Sequence, residues 1–165
     1  MTYKFRVTAR NSVGFGDTSE PISILTAIVP SAPTSPTTSV LANDILIQWA
    51  EPSSDSLYDY GALITSYKVL IQSNDGITFY ENAANCDGTT SQVLYGTSCK
   101  VPISVLLGTP FRLSLGSSVY AKVAAINIVG SSEYSLPGNG AVITMSYPPD
   151  APVNLLRNNL LTTKT

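Results

Sequence analysis

Two stretches of the chain repeat each other more than a hundred residues apart. Residues 3–14 read YKFRVTARNSVG and residues 119–130 read VYAKVAAINIVG. Val7, Ala9, Asn11 and Gly14 recur as Val123, Ala125, Asn127 and Gly130, an offset of 116 (127 − 11). A second match pairs Pro30-Ser31-Ala32-Pro33 with Pro149-Asp150-Ala151-Pro152 at an offset of 119 (152 − 33). A self-similar period of this length divides the chain into tandem units. Residues 1–29 then hold the end of one unit, 30–147 a complete unit and 148–165 the beginning of a third. Proline-rich segments at 29–33 and 147–152 join them. Proline favours extended backbone and donates no hydrogen bond, so these joints read as short, stiff connectors.

Within the complete unit the apolar residues alternate. Ile45, Ile47 and Trp49 interleave with Leu46 and Gln48. Tyr67, Val69 and Ile71 interleave with Lys68, Leu70 and Gln72, and Val119, Ala121, Val123 and Ala125 with Tyr120, Lys122 and Ala124. A period of two with one apolar face is a half-buried strand. Turn signals separate the runs at Asn74-Asp75-Gly76, Gly108-Thr109-Pro110 and Pro137-Gly138-Asn139-Gly140. No stretch shows convincing helical amphipathicity.

Composition narrows the chemistry. Charged residues make up 12% of the chain, about half the usual share, and the net charge is −2 without a basic cluster. Nucleic acid is therefore not an expected partner. Histidine is absent, which removes the commonest general base and the commonest transition-metal ligand together. No G-x-S-x-G elbow, phosphate-cradling glycine loop or spaced Cys/His cluster occurs. The expectation is a non-enzyme with no cofactor. No run of about 18 apolar residues is present, so this segment is not expected to insert into a membrane.

The two cysteines, Cys86 and Cys99, flank a polar Gly/Thr/Ser-rich stretch. A bridge between them would close a short loop, worth about 3 kcal/mol by chain entropy. Two free buried thiols are the alternative. A disulfide implies an oxidising, extracellular compartment.

The Ala32-Pro33 start, the run Ile45 to Trp49 followed by Glu51-Pro52, the run Gly61 to Val69 and the Asn127-x-x-Gly130-x-Ser132 turn together resemble the fibronectin type III family. Tyr3 to Gly14 carries the same signature in the first unit. The resemblance implies an all-β, immunoglobulin-like sandwich with Ala32-Pro33 opening strand A. Its core signature residues would be Trp49, Tyr67, Val123, Asn127 and Gly130. Two departures stand out. The family's corner tyrosine fits Tyr3, but the complete unit has Val119 there with Tyr120 beside it. The unit is also long, with an insertion between strands C and F from about 80 to 115 that contains both cysteines. The expected arrangement is Cys86–Cys99 as a staple on that loop, followed by Lys100 to Leu106 as strand E.

Candidate sites are few. Glu51, Asp55 and Asp59 near the B–C loop have oxygen ligands for Ca²⁺, but read better as solvated carboxylates, as do Asp17 and Glu20. Tyr58 and Tyr60 in the B–C loop, and Ser131, Ser132, Glu133 and Tyr134 in the F–G loop, are candidate binding residues by position. Thr34, Ser35, Thr37 and Thr38 are candidate O-glycosylation sites in a Ser/Thr/Pro-rich stretch, whereas no Asn-x-Ser/Thr sequon occurs. The expected function is structural or adhesive. It would be an extracellular or surface protein of tandem units, partnered by neighbouring repeats or other copies of itself and assembling into a filament. The alternatives are a receptor-type ectodomain binding a protein or glycan through its loops, and a non-catalytic region of a secreted enzyme. The ends at 1 and 165 read as a window on a longer array, with head-to-tail pairing between chains as a second account.

Overall fold

The chain begins with a long antiparallel hairpin. Strands β1 (Thr2–Phe5) and β4 (Ile22–Leu25) pair along its base, and β2 (Thr8–Arg10) and β3 (Phe15–Thr18) along its tip. Between the two pairings, Ser19 satisfies both backbone groups of Val7. Its N–H donates to the Val7 carbonyl at 2.9 Å, and its hydroxyl accepts from the Val7 N–H at 3.0 Å. This substitution of a side chain for a ladder bond lets the strand kink without orphaning a donor.

The computed structural model describes residues 2–52 and 61–144. The proposed third unit, the second proline joint and the residues Asp55, Tyr58, Asp59 and Tyr60 lie outside the described residues. The stretch expected as the complete unit runs through β5 (Thr37–Leu41), β6 (Asp44–Gln48), β7 (Ile64–Gln72), β8 (Phe79–Glu81), α1 (Ser91–Gly96) and β9 (Ser98–Pro102). It continues through α2 (Ile103–Leu107), β10 (Ser118–Val119), β11 (Ala121–Asn127) and β12 (Ala141–Val142). One sheet has the order β5-β6-β9; the other has the order β11-β7-β8, and β10 pairs with β12. All these pairings are antiparallel. The architecture is the all-β, immunoglobulin-like sandwich expected from the alternating pattern.

The core lies between the two sheets. Ile45 and Ile47 of β6, Val69 and Ile71 of β7, Val101 of β9, and Ala121, Val123 and Ala125 of β11 are all completely buried. Each fully buried branched side chain contributes roughly 1.5–3 kcal/mol. A one-residue slip would turn the whole set to solvent, so the alternation fixes the register. The hairpin shows the converse. Tyr3, Phe5 and Val7 stand at the repeat positions of Val119, Ala121 and Val123, yet they are 47%, 48% and 72% exposed. Among the described residues no second sheet faces them.

Three expectations are corrected. Strand E does not extend from Lys100 to Leu106: β9 ends at Pro102, and Ile103–Leu107 forms α2. Pro102 has no N–H with which to continue the ladder, and Ile103 and Leu106, three residues apart, both reach the core from one helical face. A second short helix, α1, starts at Thr90, whose hydroxyl accepts from the Val93 N–H. Helices of six and five residues are too short to leave a readable period. Finally, β5 begins at Thr37, not at Ala32-Pro33. Before it, Pro30, Pro33 and Pro36 are all buried while the residues between them are exposed. That three-residue spacing matches the turn of a polyproline II helix laid with one face against the unit.

Candidate functional site

The repeated Asn-x-x-Gly turn has a role at the end of the sandwich. Asn127 Oδ1 accepts from the N–H groups of Val129 (2.8 Å) and Gly130 (3.1 Å), and its own N–H donates to the Gly130 carbonyl at 3.0 Å. Asn11 makes the same three bonds with Val13 and Gly14. The turn consumes only the oxygen of the asparagine amide. Asn127 Nδ2 is left to donate at 2.7 Å to the carbonyl of Ile28, in the segment arriving from the hairpin.

Two glycines complete this seat. Gly61 has φ +71°, and a Cβ there would overlap the Thr26 carbonyl oxygen. A Cβ on Gly130 would sit 3.2 Å from Val29 Cγ1. Residues 26–29, at the end of the expected first unit and leading into the proline joint expected at 29–33, are thus docked on the segment that follows them. Of the signature residues, Asn127 and Gly130 take part in this seat. Trp49, Tyr67 and Val123 lie in the core instead.

The expected F–G binding loop is tethered along β11 by hydrogen bonds. Ser132 donates its N–H to the Ala125 carbonyl at 2.8 Å and accepts from the Ala125 N–H on its hydroxyl at 3.0 Å. Ser135 treats Val123 in the same way, reproducing Ser19 and Val7 at the repeat offset. Ser132 is buried and committed to β11, so it is not available to a ligand. Ser131, Glu133 and Tyr134 face solvent along this edge.

Cys86 and Cys99 form a disulfide with Cα atoms 5.2 Å apart. It is not a staple on an exposed loop. Both cysteines are buried in the core, and Cys99 lies in β9 opposite Ile47. Cys86 is two residues from Gly88, which bridges to Tyr67 of β7. The bond therefore ties the inserted segment beside one sheet to a strand of the other. A Cβ on Gly88 would overlap the Tyr67 backbone, so only glycine permits this approach.

Trp49 packs edge-on against Tyr67, with ring centroids 5.3 Å apart. The Tyr67 hydroxyl is pushed up to about 12, first by burial and then by the Glu51 carboxylate. The nearby Trp49 indole offsets part of that rise. The indole N–H is itself buried and, among the described residues, meets no acceptor within hydrogen-bond geometry. Glu51, Leu63, Ile64, Tyr67, Leu94 and Tyr95 border a cleft of about 210 Å³ beside this pair. No local pattern in the sequence marks this cleft, because Tyr95 comes from the inserted segment and Glu51 from the end of the run after Trp49. Among the described residues no group of three or more His, Cys, Asp or Glu side chains could hold a metal ion.

Thr34, Ser35 and Thr37 are exposed on the docked proline segment. Thr38 is not an open glycosylation site. Its side chain is buried, and Oγ1 donates toward the Val119 carbonyl and Asn139 Oδ1 while accepting from the Ala141 N–H. Asp17 and Glu20 are exposed on the hairpin.

No family model matches the chain. Among solved structures, a crystal structure of titin domains is 22% identical over 82% of this chain and 38% of its own length, with a TM-score of 0.55. The twitchin kinase region from C. elegans is 18% identical over 74% of this chain and 18% of its own, with a TM-score of 0.51. A structure of titin kinase and its flanking domains matches at 23% identity and a TM-score of 0.50, over 73% of this chain and 18% of that one. The chain thus spans less than half the length of each of these three structures. Likeness at this level of identity is likeness of fold.

Proposed function

We propose that this chain, whose fold is the β-sandwich of the fibronectin type III kind, is a non-catalytic structural segment of an extracellular tandem-repeat protein. Successive units would be held in line by docked joints and would build a fibre or adhesive surface structure. The observation that carries the reading is the seat formed by Asn127 and Gly61 on residues 26–28. A joint gripped by side-chain and backbone contacts transmits orientation from one unit to the next, which a free linker does not. The identical turn at Asn11 supports a device used at more than one joint.

The disulfide supports an oxidising compartment, and hence secretion or surface display. Thr34, Ser35 and Thr37, exposed on the proline segment, would be the positions to carry O-glycans there. Electron microscopy of the native full-length protein tests the reading. Beaded or straight fibres of regular spacing are expected; compact isolated particles at every concentration would overturn it.

A further inference from the structure

The cleft beside Tyr67 has a chemistry that the structural role does not use. At about 210 Å³ it falls below the roughly 300–1,000 Å³ of small-molecule sites, and is of a size for a single side chain. Its walls mix apolar and polar surface and are open: Leu63 and Tyr95 are 80% and 82% exposed. Glu51 provides the carboxylate, and among the described residues no lysine or arginine lines the cleft to neutralise it. The ion pair found among the described residues, Lys68 with Glu81, lies elsewhere.

These features select a ligand. An anion is repelled by Glu51. Among the described residues a metal ion would find one carboxylate where it needs several oxygen ligands. A purely apolar side chain would desolvate the carboxylate without a partner. A lysine or arginine matches every surface at once, since its methylene stem packs on leucine while its charged head meets a carboxylate and aromatic faces.

We propose that this cleft receives one cationic side chain of a protein partner, with the stem on Leu63 and Leu94 and the head against Glu51, Tyr67 and Tyr95. The inference rests on the cleft alone and is independent of whether the full protein forms fibres. The Tyr67 hydroxyl stays protonated well above neutral pH, so it offers a donor and a lone pair, and no second charge.

The chain has one tryptophan, and its ring touches Tyr67, so the single indole N–H resonance reports on the cleft. Titration of the whole chain with N-acetyl-arginine amide should shift that resonance saturably. The neutral isostere N-acetyl-citrulline amide should not. Glu51→Gln, at an exposed position that leaves the core intact, should weaken binding by about tenfold, the equivalent of 1.4 kcal/mol. Tyr95→Ala should weaken it as well. Equal shifts from arginine and citrulline amides, unchanged affinity in Glu51→Gln, or the absence of saturation would each overturn the proposal. A shift produced by a neutral monosaccharide and not by arginine amide would assign the cleft to glycans instead.

Discussion

Asn127 Nδ2 donates to the Ile28 carbonyl at 2.7 Å, while the oxygen of the same amide holds the turn at Val129 and Gly130. One side chain therefore shapes the end of the sandwich and grips the segment that precedes it. The two roles use different atoms, so substitution can separate them.

Asn127→Asp keeps an oxygen for the Val129 and Gly130 N–H groups but sets a second oxygen against the Ile28 carbonyl. Loss of the donor should cost about 0.5–1.5 kcal/mol and speed protease cleavage within 26–30, with the turn intact. Asn127→Ala removes all three side-chain bonds and should destabilise the unit further in thermal melts. Unchanged cleavage of the segment in both variants would show that Asn127 does not hold it.

Gly88 and Gly76 should respond differently to alanine. Gly76 has φ +70° with nothing within 4 Å of an added Cβ, so Gly76→Ala should cost only the left-handed backbone penalty, about 1–2 kcal/mol. Gly88→Ala adds a collision with the Tyr67 backbone and breaks the bond from the Tyr67 N–H to the Gly88 carbonyl. Its loss should exceed that of Gly76→Ala in urea denaturation; a smaller loss would refute the packing argument at Gly88.

The disulfide closes a separation of 13 residues. The double variant Cys86→Ala/Cys99→Ala should lose about 3 kcal/mol from the relaxed constraint on the unfolded chain, and its denaturation curve should be indifferent to reductant. The buried bond of the native chain should resist mild reductant until the protein unfolds. Reduction at the same rate in native and denatured protein would contradict its place in the core.

Asp75 organises the turn between β7 and β8. Its carboxylate accepts from the Thr78 hydroxyl, the Ile77 and Thr78 N–H groups and the Ser73 hydroxyl. These bonds, led by Thr78, hold it well below the usual carboxylate range. A carboxylate depressed in the folded state contributes stability that is present above its unfolded value near 4 and is lost as the pH falls below it. The melting temperature should therefore drop on acidification below about pH 4, and Asp75→Asn should flatten that drop. Parallel profiles for the two proteins would rule out Asp75 as a source of acid sensitivity.

Much of the fold is legible in a local period. Ile45, Ile47, Val69, Ile71 and Val123 alternate with more polar neighbours, and strand geometry turns alternation directly into a buried face. The repeat also survives into atomic detail, since Asn11 and Asn127, and Ser19 and Ser135, make the same bonds. The two short helices were not legible, because one turn of helix leaves no period. The placement of Cys86 was also hidden, because it depends on how the inserted segment folds back beside β7.

The sequence by itself determined the central strands around Ile45, Val69 and Val123, which face of each is apolar, and the internal likeness of residues 3–14 and 119–130, because these are properties of neighbours along the backbone. Only the tertiary structure decided that residues 26–29 are docked, that Ser132 and Thr38 are occupied, that the disulfide lies in the core, and that Glu51 and Tyr95 share a cleft. Each of these depends on backbone segments distant in sequence approaching closely, at Gly61 and Gly88 closer than any side chain would allow. No local pattern records such an approach.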